Sequence, residues 1–151
     1  MKEELTVKAI ENGTVIDHIQ ADKVYKIISI IGLEDFDTPV FIGNNLPSKK
    51  YGKKAIIKIA DKFPNENDAN KIALIDPNAV INIIKDYKVV KKYQVSLPEK
   101  VEGIVKCFNP KCITNYDKVK QKFTIVKKDG KIGLKCHYCE KITWEDNMEI
   151  I

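Results

Sequence analysis

Four cysteines lie in the last third of the chain, Cys107, Cys112, Cys136 and Cys139, and none occurs in residues 1–98. Their spacing is C-x4-C, then 23 residues, then C-x2-C. Each close pair fits a tight turn that aims two sulfurs at one point. Two such turns make a tetrahedral S4 site whose softness favours Zn²⁺, with iron as the alternative metal. Only 53 residues follow Pro98, a length at which a hydrophobic core is marginal without a staple. Zinc contributes ~10–16 kcal/mol in small metal-dependent folds, enough to decide whether so short a region folds. The competing uses are two disulfides or four unrelated buried thiols. Disulfides are disfavoured because Met1-Lys2-Glu3-Glu4 shows no apolar core of an export signal, and a cytoplasmic location is expected. Four sulfurs close the coordination sphere, so one structural ion is expected, with no position for an activated water. His137, between the last two cysteines, is expected to be exposed at the knuckle tip.

The cysteine-free and cysteine-bearing regions meet at Val95-Ser96-Leu97-Pro98-Glu99. Proline fixes its own φ and biases Leu97 toward an extended conformation, so a short, stiff joint is expected, with domains over 1–98 and 99–151. All 26 basic residues are lysine; against 21 acids they give +5. Such a mild excess suits acidic ligands and falls short of a histone-like footprint. Purely apolar runs such as Ile30-Ile31 and Ile56-Ile57 are short, so no membrane span is expected.

In the first region, residues 5–10 alternate like a strand, Glu11-Asn12-Gly13 signals a turn, and residues 14–19 follow as a second strand. Val24, Ile27, Ile28 and Ile31 recur at helical spacing over residues 22–31, with Gly32 placed to end the helix. Residues 39–46 and 53–60 read as strands around a turn. A second helix from Glu66 or Asn67 carries Ala69, Ile72 and Ala73 on one face and stops before Pro77. Residues 79–84 and 87–95 are β-branched and strand-like. This order predicts an α+β fold with two helices on one face of an antiparallel sheet. The second region reads as a small all-β domain with strands over 101–106, 122–127, 131–136 and 142–145.

Catalytic signatures are missing. No glycine-rich phosphate loop, serine nucleophile elbow or H-E-x-x-H occurs, and there are only two histidines. His18 follows Asp17, but neighbours on a regular strand point to opposite faces, so a dyad is not expected. Lys54 and Lys58 share strand parity and stand roughly 13 Å apart, a span that suits an extended polyanion such as a nucleoside triphosphate. Lysines on a sheet are more commonly a solvated face, and by parity alone that bland reading stands.

Several segments together resemble the regulatory chains of aspartate carbamoyltransferase. They are Gly13-Thr14-Val15-Ile16-Asp17-His18-Ile19, Asn45-Leu46-Pro47-Ser48, Ile57-Lys58-Ile59, Tyr87 with Val89-Val90, Ser96-Leu97-Pro98-Glu99, and Leu134-Lys135-Cys136-His137-Tyr138-Cys139-Glu140. The resemblance runs from Leu5 to about Trp144. It implies a ferredoxin-like N-terminal domain binding the allosteric nucleotides CTP and ATP, and a C-terminal zinc domain docking on separate catalytic chains. It also implies no active site on this chain, regulatory homodimers, and a holoenzyme of six catalytic and six regulatory chains. Val7, Ala9, Ile10 and Val15 would wall the base and ribose pocket, with Ile84, Tyr87 and Val89 completing the lining and Asn82 nearby. Main chain around Ile10 and Tyr87 would read the base edge. Asp17 would accept from a ribose hydroxyl or orient a lysine. Lys58 and Lys92 would meet base and ribose, and Lys54 and His18 would lie toward the phosphates. Glu11 and Asn12 stand where family members can carry basic residues, so the charge beside the pocket differs.

A rival reading is a zinc-ribbon nucleic-acid-binding protein, with Lys118, Lys120, Lys122, Lys127 and Lys128 contacting phosphates and Tyr116 and Phe123 stacking on bases. It leaves the N-terminal match unexplained, and no nucleic-acid partner is expected.

Overall fold

Alternating burial along a β-branched run makes the first strand, β1 (Gly13–Gln20), in a computed structural model that describes residues 9–49 and 52–151. The strand expected over residues 5–10 lies outside the described residues, apart from Ala9 and Ile10, which are not strand. A 3-10 turn at Ala21–Lys23 leads into α1 (Val24–Ile31), so the helix expected from Asp22 begins as a tighter turn. Gly32 ends it in the left-handed conformation, its N–H meeting the carbonyls of Ile28 and Ser29. Then come β2 (Val40–Ser48), β3 (Gly52–Ala60), α2 (Glu66–Ile75), β4 (Val80–Lys85) and β5 (Lys88–Gln94). Asn65 caps α2 through a reciprocal pair with Asp68, each side chain accepting the other's backbone N–H.

The strands form one sheet in the order β2-β3-β1-β4-β5, antiparallel throughout. With α1 between β1 and β2 and α2 between β3 and β4, this is the ferredoxin-like arrangement plus one extra hairpin strand. Thr14, Ile16 and Ile59 line a cavity of about 40 Å³ with Ile31 and Ile72, which puts both helices on that side of the sheet. Ile16, Ile19, Ala55, Ile57 and Ile81 are buried there with Val24, Ile27, Ile72 and Ala73. Val15, Asp17, Lys54, Lys58 and Asn82 alternate with these buried residues and are half-buried on the opposite face.

Gly13 admits no substitute. Its φ is +145°, and a Cβ there would stand 2.1 Å from the Ile59 carbonyl oxygen. Gly13→Ala should cost ~3 kcal/mol or more, read as a drop in the thermal midpoint of the N-terminal unit. An unchanged midpoint would contradict this register.

The described residues divide into two compact units between Ser96 and Leu97. The second holds β6 (Lys100–Glu102), β7 (Val105–Lys106), β8 (Lys122–Lys128), β9 (Lys131–Cys136), β10 (Ile142–Trp144) and β11 (Glu149–Ile150). Its four-stranded sheet runs β10-β9-β8-β6, and β11 pairs with β7. The single strand expected over 101–106 is broken at Gly103, whose φ is +68°. Trp144 lies across Gly133, where a Cβ would come within 2.9 Å of the indole. Among the described residues no helix is long and apolar enough to cross a membrane.

Candidate functional site

In the second unit the four cysteines converge. Cys107 and Cys112 flank a turn in which the Cys112 N–H bonds the Asn109 carbonyl, and the Asn115 side chain donates to the carbonyls of Cys107 and Asn109. Cys136 ends β9. A second turn follows, with the Glu140 N–H on the Cys136 carbonyl, the Cys136 N–H on the Lys141 carbonyl, and Glu140 at φ +64°. All four Sγ atoms lie within 4.8 Å of one another, Cys107 to Cys139 at 3.6 Å and Cys112 to Cys136 at 3.7 Å. A tetrahedron with metal–sulfur bonds of about 2.3 Å has edges of about 3.8 Å, so these separations fit one ion. The thiols are free rather than bridged.

Three cysteines are buried and Cys139 is half-buried. Burial pushes the Cys107 and Cys136 thiols upward. Burial also acts on Cys139, but the Lys141 N–H, the Asn109 side chain and the neighbouring thiols outweigh it and bring that group to about 7. Four thiolates so close repel one another unless a cation compensates them. The Thr114 hydroxyl donates to Cys112 Sγ at 3.2 Å, and buried Thr143 accepts the Phe108 N–H, so the ligand turns are held from behind. The sulfur set and its closed geometry fit structural zinc, which would be held by Cys107, Cys112, Cys136 and Cys139. His137 is exposed and takes no part in the cluster. Phe123 is only 2% exposed and pairs across the sheet with Cys136, so it cannot stack on a base as the rival reading requires.

In the first unit the strand registers put most of the other candidate residues together. Phe41 of β2 pairs with Lys58 of β3, Lys58 with Val15 of β1, Val15 with Asn82 of β4, and Asn82 with Lys92 of β5. Strand pairs stand about 4.8 Å apart, so one cross-strand row of the helix-free face carries Lys58, Val15, Asn82 and Lys92. The next row joins Gly13, Ile84 and Val89. The Asn82 side chain donates to the Val15 carbonyl at 3.3 Å, which fixes its amide in the row. Asp86 and Tyr87, both at positive φ, form the two-residue turn between β4 and β5. That turn is tied back to the start of β1, with the Tyr87 N–H on the Glu11 carbonyl at 2.9 Å and the Asp86 N–H on the Asn12 side chain. The Tyr87 N–H is therefore committed within the protein, and its ring is exposed. Ala9 is exposed and Ile10 is buried against Gly13. Val7 lies outside the described residues.

The expected alternation of Asp17 and His18 fails because β1 bulges there. The register with β3 shifts between Ile16 and Ile19, and His18 sits at φ +57°. The bulge turns the His18 N–H onto Asp17 Oδ1 at 2.6 Å and leaves the imidazole 4.0 Å from the carboxylate. Asp17 also accepts from Lys54 Nζ at 2.9 Å, so orienting a lysine is the role its geometry supports. Burial raises the Asp17 pKa, but the Lys54 ammonium, the His18 N–H and nearby charge outweigh it and hold the carboxyl below its ordinary value. A depressed carboxyl contributes stability above its unfolded value of about 3.9 and loses it as pH falls through the folded value. The stability difference between wild type and Asp17→Asn should thus be full above about pH 5 and shrink toward pH 3. Exchange of β1 amides with solvent would measure it. A difference that grows on acidification would contradict the assignment.

Comparison with known proteins joins the two units. The family model for the allosteric domain of aspartate carbamoyltransferase regulatory chain matches residues 5–96, and the model for that chain's metal binding domain matches residues 99–149. Among similar curated proteins, the aspartate carbamoyltransferase regulatory chain of Parabacteroides distasonis is 51% identical over 146 residues, covering 96% of this chain and 94% of that one. The regulatory chain of Pyrococcus horikoshii is 49% identical over 147 residues, covering 96% of both. That of Phocaeicola vulgatus is 47% identical over 150 residues, covering 99% and 96%. Both matched domains are regulatory, one allosteric and one metal-binding, and neither is catalytic. Over nearly its whole length, then, the chain belongs to the family of aspartate carbamoyltransferase regulatory chains.

Proposed function

We propose that residues 1–98 bind CTP and ATP on the helix-free face of the sheet, and that residues 99–151, riveted by zinc, attach the effector domain to catalytic chains. The observation that carries this reading is the cross-strand row of Lys58, Val15, Asn82 and Lys92, with the Asp17–Lys54 pair beside it. Two ammonium groups flanking an amide and an apolar side chain suit a nucleotide, whose base is flat and whose phosphates need point charges rather than arginine's fork. Val15, Ile84 and Val89 supply the apolar lining, Asn82 a fixed amide, and Lys58 and Lys92 the charges toward base and ribose. Lys54 and His18 lie at the bulge, on the phosphate side of this arrangement. Ala9, Ile10 and Tyr87 belong to the rim beside Gly13.

Regulation then works by population shift. A nucleotide with different affinities for two quaternary arrangements biases them, with coupling of about 1–3 kcal/mol. The covalent path to the zinc unit is the Leu97-Pro98 joint, which is short and restricted in φ. The assembly consists of regulatory homodimers within a holoenzyme of six catalytic and six regulatory chains, placed in the cytoplasm. Titration of CTP and ATP into the full-length chain, followed by calorimetry, tests the effector reading. Saturable binding of both at one site per chain is expected, and binding of neither would overturn it.

A further inference from the structure

We propose that Asp76 is a positioning residue of the sheet-face site: from within the core it fixes the end of β1 and thereby the Asp17–Lys54 pair. Asp76 is wholly buried, unusual for a carboxylate, since burial of an acid is costly unless its oxygens are satisfied. Its Oδ2 accepts the Gln20 N–H at 2.8 Å and its Oδ1 accepts the Asn78 N–H at 3.1 Å. Its own N–H closes the last turn of α2 on the Ile72 carbonyl, and its carbonyl receives the Ala79 N–H. The residue thus sits where α2 ends and β4 has not yet begun.

The need for it lies in β1. Pairing with β4 stops at Asp17 opposite Val80, yet β1 continues to Gln20. Beyond the bulge, Ile19 faces Ala55 and Gln20 faces Lys54. On the β4 side the Gln20 N–H therefore has no ladder partner, and an N–H drawn even partly out of water without one is costly. Asp76 supplies the acceptor that the missing strand does not. The anchored residue is the register partner of Lys54, whose ammonium bonds Asp17 at 2.9 Å. One residue lies between Gln20 and His18 at φ +57°. Anchors on both sides of a bulge hold its extra residue in place, here Val80 and the β3 pairing before it, and after it the β3 pairing of Ile19 and Gln20 on one side with Asp76 on the other. Without Asp76 the segment 18–20 can relax, and Lys54 and Asp17 lose their fixed alignment at the site edge.

This inference rests on the effector reading of the face, and one set of measurements separates the two. CTP and ATP affinities of the full-length chain are measured for wild type, Asp76→Ala and Asp76→Asn, each also in a Lys54→Ala background. Asp76→Asn keeps the shape and replaces one acceptor by a donor, so it serves if the alanine variant fails to fold. The Asp76 variants are expected to weaken binding about tenfold while Lys54 is present and to change it little once Lys54 is gone, since neighbours acting through one network are non-additive. Solvent exchange at the Gln20 amide should speed up in step. Equal affinity in wild type and folded variants overturns the positioning role alone, and so does the same loss in both Lys54 backgrounds, which marks general destabilisation. A wild-type chain that binds neither nucleotide overturns the effector reading itself.

Discussion

Stripping the metal is expected to unfold residues 97–151 and release the catalytic chain, while the N-terminal unit still binds nucleotide. The hydrophobic core of the metal unit is slight: Val101, Ile104, Val105, Phe123, Ile132 and Leu134 are its buried apolar side chains apart from the cysteines. A core of that size supplies only ~3–5 kcal/mol, whereas a structural zinc contributes ~10–16 kcal/mol. Three of the four sulfurs are themselves buried, so metal removal leaves thiols crowded where the ion held them. Cys112→Ser or Cys136→Ser should act like the chelator, because each removes a ligand from inside the core. Trp144 is the chain's one tryptophan, and it packs on Gly133 of this unit. Its fluorescence should shift to the solvent-exposed form in step with loss of the catalytic chain from a sizing column. Nucleotide titration of the same sample should remain saturable. An indole signal unchanged after complete metal loss would contradict the rivet role.

Lys58→Ala together with Lys92→Ala should weaken CTP and ATP by about a hundredfold or more, since hydrogen bonds to charged groups contribute ~1.5–3 kcal/mol each. The two lysines stand three strands apart in one row, with Val15 and Asn82 between them, so neither can replace the other. Neither substitution removes a core side chain: Lys58 is half-buried and Lys92 exposed on the face away from the helices. The thermal midpoint should therefore move little while affinity collapses. Raising salt should weaken wild type toward the variant, as partly exposed charges are screened. Full affinity in the double variant would place the nucleotide elsewhere.

The metal centre was readable from sequence because four residues of one reactive type at fixed local spacing leave few geometries open. The two-helix antiparallel sheet was also readable, since β-branched alternation and helical spacing agree with the turn residues at Gly32, Gly52 and Pro77, while its ferredoxin-like order was implied by the family resemblance. Register was less accessible. Three irregularities, between Ile16 and Ile19, between Gly43 and Leu46, and between Ile83 and Ile84, shift strand pairings in ways local propensity does not encode. The first made simple alternation misleading for Asp17 and His18. The role of Asp76 is not legible in the sequence, because Asp-Pro after a helix reads as an ordinary stop. One signal was available: an acid at a helix C-terminus is opposed by the helix dipole, so it calls for a compensating partner. The rival reading's use of Phe123 as a stacking ring fails on orientation, because periodicity alone does not say which face of β8 meets the cysteines.

The most direct test co-expresses the chain with the catalytic chain of its host and measures aspartate saturation with CTP, with ATP and with neither. The effector account predicts that the assembled enzyme's curve shifts with nucleotide, that Lys58→Ala with Lys92→Ala abolishes the shift without dissociating the assembly, and that the regulatory chain alone turns over no substrate. Three superimposable curves from an intact, metal-loaded assembly would contradict it.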